Sequence, residues 1–326
     1  MDLSVVILAL NESENISILI PCLRRMLLAV MSDSQYEIIV VDGGSTDDTA
    51  HIAAELADCL VVQSRPGYGY ALKEGLEVAC GEYVATLDAD LSHEPSFLPN
   101  LWHKRSSAEI VIASRYITGG TAKMPFGRVV LSHILNTVFR LTLSLPVRDI
   151  SSGYRLYSAR VLKAFDYDGT NFDILPEIIV RSYANGWRIH EVPFQYMPRR
   201  HGSSKARLIR FGLSYLRTLG RLWRFRNSIE AADYDERAFD SKIPFQRYWQ
   251  RRRYDIITNM IPKGVVALDI GCGSSRILRD QDGVIGLDIK LNKLRYMCRY
   301  DKELVNGSVF DLPFPDESFD CVICSE

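Results

Sequence analysis

Short apolar runs alternate with segments of helical spacing along the first 114 residues of this chain. Residues 3–10 and 37–42 are rich in β-branched side chains, and the apolar residues between them recur as on one face of a helix: Ile16, Leu19, Ile20, Leu23, Leu27 and Val30. The same alternation predicts helices over 49–57 and 70–79 and strands over 59–63, 83–88 and 110–114. We therefore predict an α/β fold with a mostly parallel sheet and helices on both of its faces.

Polar residues follow three of these predicted strands. The segments are Asn11-Glu12, the run from Asp42 to Asp47, and Asp88-Ala89-Asp90. Ligands of such sheets bind beyond the carboxyl ends of the strands, so we expect the three segments to meet in a nucleotide pocket. Asn11 also precedes the first helix with Glu14 three residues on, a pattern that predicts a capping box.

Asp88 and Asp90 end an apolar strand one residue apart, so in an extended segment both side chains point to the same side. Two carboxylates with free coordination positions suit Mg²⁺ or Mn²⁺ bridged to a diphosphate better than a closed structural cage. An isolated Asp-x-Asp also occurs in solvated turns at strand ends, and these residues alone leave both interpretations open. The metal interpretation implies a nucleotide diphosphate donor.

Length and composition predict two ordinary globular domains. The chain has 326 residues, of which 47% are hydrophobic and 24% charged, and its formal net charge is −1. Disorder is not expected, and attraction to an anionic partner requires a local cluster of charge. One such cluster lies between Val192 and Ile229, where nine lysines and arginines occur without an aspartate or glutamate.

Within this cluster, residues 207–226 predict a basic amphipathic helix. Arginines recur on it at helical spacing, and apolar side chains form another face: Leu208, Leu216, Leu219 and Trp223. Because aromatic and basic residues interleave, contact with a membrane surface is favoured over a merely solvated face. A nucleic acid partner is not expected, since no recognition motif accompanies the charge. The apolar segment 127–145 is either an interfacial helix or a deeply packed one.

The cysteines and the amino terminus predict a cytosolic location. Seven cysteines are scattered along the chain, which argues for a reducing compartment. The start at Met1 has no basic leader, so a secretory signal is not expected. No uncharged apolar run of about 18 residues occurs, and we expect peripheral association with the cytosolic face of a membrane. Cys321 and Cys324 have CxxC spacing but face opposite sides of a predicted strand, which disfavours metal or redox use.

Five motifs in the first 229 residues together resemble those of the family 2 glycosyltransferases. They are Val41-Asp42-Gly43-Gly44-Ser45-Thr46-Asp47, Asp88-Ala89-Asp90, Ser114-Arg115-Tyr116, the segment from Asp149 to Arg155, and the segment from Arg199 to Lys205. The chain is most similar to the branch of this family that makes dolichyl-phosphate mannose. The resemblance implies a GT-A fold, a cytosolic active site, a nucleotide sugar donor such as GDP-mannose and a polyprenyl phosphate acceptor. It also favours the metal interpretation of Asp-x-Asp.

The resemblance further implies roles for single residues. The implied metal ligands are Asp88 and Asp90, and the implied nucleotide-site residues are Glu12, Asp42, Asp88 and Ala89. The implied catalytic residues, near the diphosphate or the acceptor phosphate, are Asp90, Arg115, Arg199 and Lys205. Read alone, the carboxylates at positions 12 and 42 could equally cap a helix or turn, and the arginine at 115 would be a surface cation.

The acceptor chemistry is simple because a phosphate monoester is already ionised near neutral pH. Its oxygen can attack the anomeric carbon without a strong general base, and a single displacement inverts the anomeric configuration. Alignment and stabilisation of the leaving group then carry catalysis.

Two departures from the family pattern concern the base and the metal. The segment Leu8-Ala9-Leu10 stands where the family often has Pro-x-Tyr, so an aromatic contact with the base is not expected. Ser92 stands where close relatives have glutamine, and His93 follows it. We expect His93 to be a solvated turn residue.

Motifs near the carboxyl end resemble the opening motifs of class I S-adenosylmethionine methyltransferases. They are the segment from Val265 to Ser275, Gly286-Leu287-Asp288, the segment from Asp311 to Pro315, and the segment from Phe319 to Ile323. The resemblance implies that Gly271 and Gly273 let the backbone approach the cofactor, that Asp288 holds ribose hydroxyls and that Asp311 lies near the adenine. Read alone, the glycine-rich turn could equally serve a dinucleotide.

We therefore predict a GT-A domain over 1–229, a polar linker over 230–244 and a partial, Rossmann-like methyltransferase domain over 245–326. The last predicted strand lies next to the end of the chain, so we expect this half to be truncated or inactive, with a vestigial S-adenosylmethionine site. The favoured function is metal-dependent, inverting transfer of mannose from GDP-mannose to a polyprenyl or dolichyl phosphate at the cytosolic membrane surface. Transfer to another glycan or lipid, methyl transfer, and a non-catalytic scaffold are the alternatives.

Overall fold

The structure is a computed structural model that describes residues 1–31, 35–198 and 208–324. For residues 208–213 it describes the backbone alone. It divides into two compact α/β units. The first unit consists of Met1–Arg181 and Arg188–Leu222, and the second unit of Ser182–Trp187 and Trp223–Glu326.

The first unit is built on one seven-stranded sheet. The strands of the unit, seven in this sheet and two in a small separate one, are β1 (Leu3–Ala9), β2 (Tyr36–Asp42), β3 (Cys59–Val62), β4 (Tyr83–Asp88), β5 (Ile110–Ser114), β6 (Thr121–Ala122), β7 (Arg155–Ser158), β8 (Ile189–Pro193) and β9 (Gln195–Tyr196). The sheet has the order β3-β2-β1-β4-β7-β5-β8, and β6 pairs with β9 separately. All neighbours in the sheet are parallel except β7, which is antiparallel to β4 and β5. The predicted mostly parallel sheet is confirmed.

Helices alternate with these strands along the same part of the chain. They are α1 (Ser13–Val30), α2 (Thr49–Leu56), α3 (Tyr68–Val78), α4 (Leu98–His103), α5 (Phe126–Thr142), α6 (Ala159–Leu162), α7 (Ile174–Ala184) and α8 (Leu208–Arg226), with a 3₁₀ turn at Pro95–Phe97. The helices predicted over 49–57 and 70–79 are confirmed as α2 and α3. The helix predicted over 207–226 is confirmed as α8.

The core of the first unit lies between β1 and α1. Leu3, Val5 and Ile7 of β1 are fully buried. Five of the six apolar positions predicted for α1 are at most 1% exposed: Ile16, Leu19, Ile20, Leu23 and Leu27. Burial of each such side chain contributes roughly 1.5–3 kcal/mol to folding. The predicted capping box is wrong: α1 begins at Ser13, its N-cap is Glu12, and no side-chain capping bond forms there.

β7 is the one strand of the sheet's centre that the apolar pattern did not predict. It has four residues, of which the first, Arg155, is fully buried. The guanidinium donates to the carbonyls of Ile150 and Leu175 at 2.6 and 2.9 Å. A buried arginine at the start of so short a strand hides the apolar signature, and its hydrogen bonds tie the preceding loop and the start of α7 to β7.

α5 exposes apolar side chains instead of packing deeply. Only Asn136 and Phe139 of this helix are buried, whereas Phe126 is 82% and Leu141 65% exposed. Of the two predicted alternatives for this segment, the deeply packed one is wrong. In the described ranges, no helix is both long and apolar enough to cross a membrane.

The second unit contains a four-stranded parallel sheet. Its strands are β10 (Ala267–Ile270), β11 (Val284–Asp288), β12 (Leu304–Asn306) and β13 (Cys321–Cys324), in the order β12-β11-β10-β13. Its helices are α9 (Tyr234–Phe239), α10 (Pro244–Met260), α11 (Arg276–Asp280) and α12 (Leu291–Met297), and a 3₁₀ turn follows at Cys298–Tyr300. The strand predicted at the cysteine pair is confirmed as β13. α9 lies within the segment 230–244.

Candidate active site

The loops that follow β1 and β2 are hydrogen-bonded to each other. The backbone amide of Asn11 donates to Ser45 Oγ at 2.8 Å, and the amide of Thr46 donates to Asn11 Oδ1 at 2.7 Å. The amide of Glu12 donates to Thr49 Oγ1 at 2.8 Å. Asn11 has a φ of 52°, in the left-handed region that asparagine tolerates better than most residues. These bonds bring together two of the three polar segments, as predicted.

Asp42 ends β2 with its carboxylate buried. Oδ2 accepts hydrogen bonds from the amides of Gly44 and Ser45 at 3.1 and 3.0 Å. Oδ1 is buried without a hydrogen-bond partner among the described residues. A buried polar atom without a partner is costly, so this oxygen is suited to a donor on a ligand, such as a nucleoside hydroxyl or amide.

Asp88 and Asp90 lie on a tight turn at the end of β4. Oδ1 of Asp90 accepts from both the amide and the hydroxyl of Ser92, which fixes this carboxylate. Leu91, between Asp90 and Ser92, has a φ of 59°, a left-handed conformation that is strained for a side chain of this size. Such strain persists where the surroundings over-determine it, commonly at functional sites.

His93 supports this turn from within the protein. Its Nδ1 accepts the backbone amide of Asp88 at 3.0 Å, and its ring stacks on Tyr154 with centroids 5.2 Å apart. The side chain is only 4% exposed, so the prediction of a solvated turn residue is wrong. An imidazole that packs against the aromatic core can still satisfy a backbone donor, and that combination is not visible in the sequence.

The carboxylates of Asp88 and Asp90 fit a divalent metal that is shared with a ligand. Both are hard oxygen donors on the wall of one cavity. In the described part of the chain, no group of three or more histidine, cysteine, aspartate or glutamate side chains could enclose a metal ion. Mg²⁺ commonly binds through one or two carboxylates and completes its shell with substrate phosphate and water. The donor set therefore fits the predicted Mg²⁺ or Mn²⁺.

Arg115 follows β5 and forms a bidentate ion pair with Asp149. Nε and one terminal nitrogen each lie 2.7 Å from a different carboxylate oxygen, and the same terminal nitrogen donates to Ser151 Oγ at 2.7 Å. Burial by itself would raise the pKa of Asp149, but the Arg115 charge and hydrogen bonds hold that pKa below its ordinary value. Arg115 is thus held rigidly on the cavity wall, and it is not the surface cation that it would be if read alone.

One cavity of about 740 Å³ joins these elements within the first unit. Its polar end is lined by residues from the ends of four strands, β1, β2, β4 and β5: Glu12, Gly43, Asp88, Ala89, Asp90 and Arg115. Its other end is lined by apolar residues of α5 and α8: Leu131, Ile134, Leu135, Val138, Leu216 and Leu219. The structure therefore brings together the predicted positions 12, 88, 89, 90 and 115, and Asp42 adjoins the lining through Gly43. Arg199 and Lys205 lie outside the described residues.

Tyr68 is a site residue that the sequence did not reveal. Its ring stacks on Phe172 at 4.2 Å, and its hydroxyl would lie 2.9 Å from a Cβ added to Gly153. Burial, together with the Asp88 charge, raises the pKa of Tyr68 well above its ordinary value, so the phenol stays neutral. The only signal is its place at the start of α3, after the Pro66-Gly67 turn.

The second unit holds the glycine-rich turn that follows β10. Gly271 and Gly273 have positive φ values of 68° and 56°. Asp288 lies at the end of β11, and its two oxygens accept the amides of Gly273 at 2.8 Å and Lys290 at 2.7 Å. Asp311 is exposed, and its backbone amide donates to the carbonyl of Ser308 at 3.2 Å across a turn. The structure therefore brings Gly273 and Asp288 together, while Asp311 pairs with Ser308 in a separate turn.

The residues around this turn do not fit S-adenosylmethionine as they stand. A Cβ added to Gly273 would lie 2.5 Å from Asp235 Oδ2, so the chain itself fills the space that this glycine leaves. An adjacent pocket, lined in part by Asp235 and Ser275, measures only about 10 Å³. A small-molecule site usually needs roughly 300–1,000 Å³.

Comparison with known proteins identifies the first unit's family. The family profile of glycosyl transferase family 2 matches residues 4–165. Polyprenol monophosphomannose synthase of Mycolicibacterium smegmatis is 32% identical over 221 residues, which cover 62% of this chain and 79% of the relative. The chain belongs to glycosyl transferase family 2. Dolichol-phosphate mannosyltransferase of Pyrococcus furiosus is 31% identical over 240 residues, covering 71% of this chain and 66% of that family member.

Similarity to solved structures confirms the predicted GT-A architecture. Glucosyl-3-phosphoglycerate synthase of Mycobacterium tuberculosis, in complex with Mn²⁺, UDP-glucose and phosphoglyceric acid, superposes with a TM-score of 0.53 at 25% identity. The match covers 68% of this chain and 80% of that chain. The same enzyme with Mn²⁺, UDP and glucosyl-3-phosphoglycerate gives a TM-score of 0.53 at 24% identity over 69% and 79% of the two chains.

A second family profile, described as a methyltransferase domain, matches residues 268–326. The predicted resemblance of this segment is therefore confirmed, together with the parallel sheet that carries it.

Proposed function

We propose that the first unit transfers mannose from GDP-mannose to a polyprenyl phosphate, with inversion at the anomeric carbon. The observation that carries this proposal is the single cavity that runs from the Asp88–Asp90 turn to the apolar faces of α5 and α8. A polyprenyl phosphate has the same division, an anionic head and an apolar tail. The two mannosyltransferases similar to this chain bear names that match such an acceptor.

The donor end of the cavity suits a nucleoside diphosphate. Asp88 and Asp90 would hold Mg²⁺ or Mn²⁺, which when bound supplies positive charge to the departing diphosphate. Asp42 Oδ1, buried and without a described partner, offers an acceptor for the nucleoside. The phenol of Tyr68 stays neutral beside Asp88 and can donate a hydrogen bond without adding charge.

The reacting end of the cavity suits an anionic acceptor. Arg115 and Arg128 line it, and their guanidinium charges attract a phosphate. On Arg115, Nε and one terminal nitrogen are engaged by Asp149 and a serine hydroxyl, so its other terminal nitrogen is the donor that would face the phosphate. The attacking phosphate oxygen forms a bond to the anomeric carbon as the bond from that carbon to the diphosphate breaks. Since the acceptor is already ionised near neutral pH, no general base is required. Arg199 and Lys205 stay predictions for the same phosphate.

The apolar end of the cavity suits the lipid and its membrane. Ile134 of α5 is 55% exposed and Leu216 of α8 is 65% exposed, although both line the cavity. Exposed apolar side chains beside arginines are typical of helices that lie in a membrane surface. We therefore propose peripheral binding to the cytosolic face of a membrane, with α5 and α8 in contact with lipid.

A water-soluble phosphorylated acceptor is the second candidate. The structurally similar synthase was crystallised with UDP-glucose and phosphoglyceric acid. In this chain, Leu8-Ala9-Leu10 stands where the family often has an aromatic residue, so the sequence does not favour one nucleotide base. The apolar wall of the cavity disfavours this candidate, because a small anion without an apolar part would leave that wall uncovered.

Transfer assays with a panel of donors and two acceptors test the proposal. The purified chain, with Mn²⁺ or with EDTA, is given labelled GDP-mannose, GDP-glucose, UDP-glucose or UDP-galactose and either a short polyprenyl phosphate or 3-phosphoglycerate. We expect metal-dependent label in the lipid phase from GDP-mannose alone. Asp90→Ala should abolish the signal, and Asp166→Ala, an exposed aspartate outside the cavity lining, should preserve it. Label in phosphoglycerate, or transfer that survives EDTA and Asp90→Ala, would contradict the proposal.

A further inference from the structure

The glycine-rich turn of the second unit is engaged by a carboxylate of the same chain. Asp235 at the start of α9 accepts from the amide of Ser274 at 3.0 Å and from its hydroxyl at 3.2 Å, through Oδ2. The same oxygen accepts from Lys293 Nζ of α12 at 2.8 Å. The amide of Asp235 in turn donates to Ser274 Oγ at 3.2 Å. Three donors therefore converge on one carboxylate oxygen.

These donors would recognise a carboxylate on any ligand. They consist of one backbone amide, one hydroxyl and one ammonium group, and the Lys293 and Asp235 side chains are each only 10% exposed. Charge-assisted hydrogen bonds of this kind are the stronger ones. Burial alone would raise the pKa of Asp235, but the Lys293 charge and the Ser274 hydrogen bonds hold that pKa below its ordinary value. Asp235 is therefore an anion at neutral pH.

The missing side chain of Gly273 makes room for this carboxylate. Asp235 Oδ2 lies 2.5 Å from where a Cβ would be, closer than any real Cβ contact allows. In dinucleotide and related folds, a glycine at such a turn lets the ligand approach the backbone. Here the side chain of α9 takes that place. The neighbouring amide, that of Gly273, is bound by Asp288 at 2.8 Å.

We propose that Asp235 occupies the position in which the glycine-rich turn would bind the carboxylate of an amino-acid-bearing nucleoside such as S-adenosylmethionine. The ligand and Asp235 then compete for Ser274 and Lys293, and the methyltransferase-like unit binds this ligand only when α9 releases the turn. The chain thereby holds its own cofactor site closed.

Direct binding measurements on the full chain test this competition. S-adenosylmethionine, S-adenosylhomocysteine and 5′-methylthioadenosine are titrated against the chain and against Asp235→Ala and Asp235→Asn. The first two ligands carry the amino-acid carboxylate and the third lacks it. We expect Asp235→Ala to bind the first two at least about tenfold more tightly than the unaltered chain, which is about 1.4 kcal/mol, with no change for 5′-methylthioadenosine.

Matched variants separate competition from loosening of the fold. Asp316→Ala removes an exposed aspartate of the same unit and should change no affinity. Asp235→Asn keeps the shape of the side chain without its charge and should give a smaller gain. Lys293→Met added to Asp235→Ala should cancel the gain, because the ligand carboxylate loses its ammonium partner. Equal affinity in the unaltered chain and Asp235→Ala, or an equal gain for 5′-methylthioadenosine, would overturn the proposal.

Discussion

The two units place polar residues at the same kind of location and use them differently. The sheet is mostly parallel in the first unit and wholly parallel in the second, and in each it carries aspartates at or next to strand ends, Asp42 and Asp88 in the first unit and Asp269 and Asp288 in the second. In the first unit these ends open on a cavity of about 740 Å³. In the second unit, a pocket beside the glycine-rich turn measures about 10 Å³.

The difference lies in the segments that follow or precede the strands. In the first unit, the turn after β4 and the loop before β7 line the cavity with Asp88 and Gly153, and α5 extends its wall. In the second unit, α9 delivers Asp235 to the turn and satisfies its donors from within the chain. Sheet topology therefore tells where a ligand can bind, and the connecting segments decide whether it does.

The largest expected effect separates the two strand-end aspartates. Asp88→Asn at the end of β4 should lower the rate of glycosyl transfer by about 100-fold or more, because the diphosphate loses charge stabilisation that acts in the transition state. Asp288→Asn, the equivalent change at the end of β11, should leave that rate unchanged. Initial rates with GDP-mannose at saturating lipid acceptor measure both. A comparable loss in the two variants would show that the second unit takes part in the transfer.

Stability should also divide the units, as one buried ion pair in each can show. Arg115→Met removes the charge paired with the Asp149 carboxylate, which is fully buried and keeps hydrogen bonds from backbone amides and a serine hydroxyl, and should destabilise the first unit by about 3–5 kcal/mol at pH 7. Lys293→Met leaves Asp235 with its two hydrogen bonds to Ser274, and that carboxylate is 10% exposed, so we expect a smaller loss of about 1–3 kcal/mol in the second unit. Hydrogen exchange of each sheet in increasing urea measures the two free energies separately.

The pH dependence of the first loss has a definite sign. The pKa of Asp149 is lowered in the folded chain, so its ion pair contributes stability above the ordinary aspartate pKa of about 4. That contribution is lost as the pH falls through the lowered pKa. In Arg115→Met the carboxyl group can be protonated instead, so the gap between the variant and the unaltered chain should narrow from pH 7 to pH 4. A gap that widened on acidification would contradict the assignment.

A moderate effect is expected where β7 brings Gly153 against Tyr68. Gly153→Ala places a methyl group 2.9 Å from the Tyr68 hydroxyl and should displace it, lowering the transfer rate by about tenfold while the fold is kept. Tyr68→Phe in the same chain removes the clashing oxygen. If steric displacement is the cause, the double variant should be no slower than Tyr68→Phe alone. Additive losses, measured as initial rates in the four chains, would exclude it.

Prediction from the sequence succeeded where one periodicity dominated and failed where contacts came from distant segments. The strands β1 to β5 and the helices α1 to α3 follow from apolar spacing alone. The strands β1, β2, β4 and β5 are mostly buried, whereas β3, at the edge of the sheet, is partly exposed. β7 was missed since it begins with a buried arginine that is bound to carbonyls 5 and 20 residues away.

The site shows the same limit. The grouping of Asp88, Asp90 and Glu12 follows from their places at the ends of parallel strands, which sequence order already contains. The burial of His93 depends on Tyr154, which is distant in sequence, and Tyr68 reaches the site only because Phe172 supports it. The contact of Asp235 with Ser274 joins residues 39 positions apart, in a stretch predicted to be a linker.

The smallest effect is expected on the apolar wall that sets the first unit's cavity apart. Ile134→Asn on α5 removes apolar surface that a polyprenyl chain would cover, and should raise the KM for a long-chain acceptor by about threefold, or about 0.65 kcal/mol. The kcat should stay unchanged, and so should both constants for a short, water-soluble acceptor. Ile256→Asn is the matched control, because this isoleucine of α10 is 46% exposed and lies in the second unit. If Ile134→Asn lowers activity equally with both acceptors, the wall supports the fold of the site and does not bind the lipid.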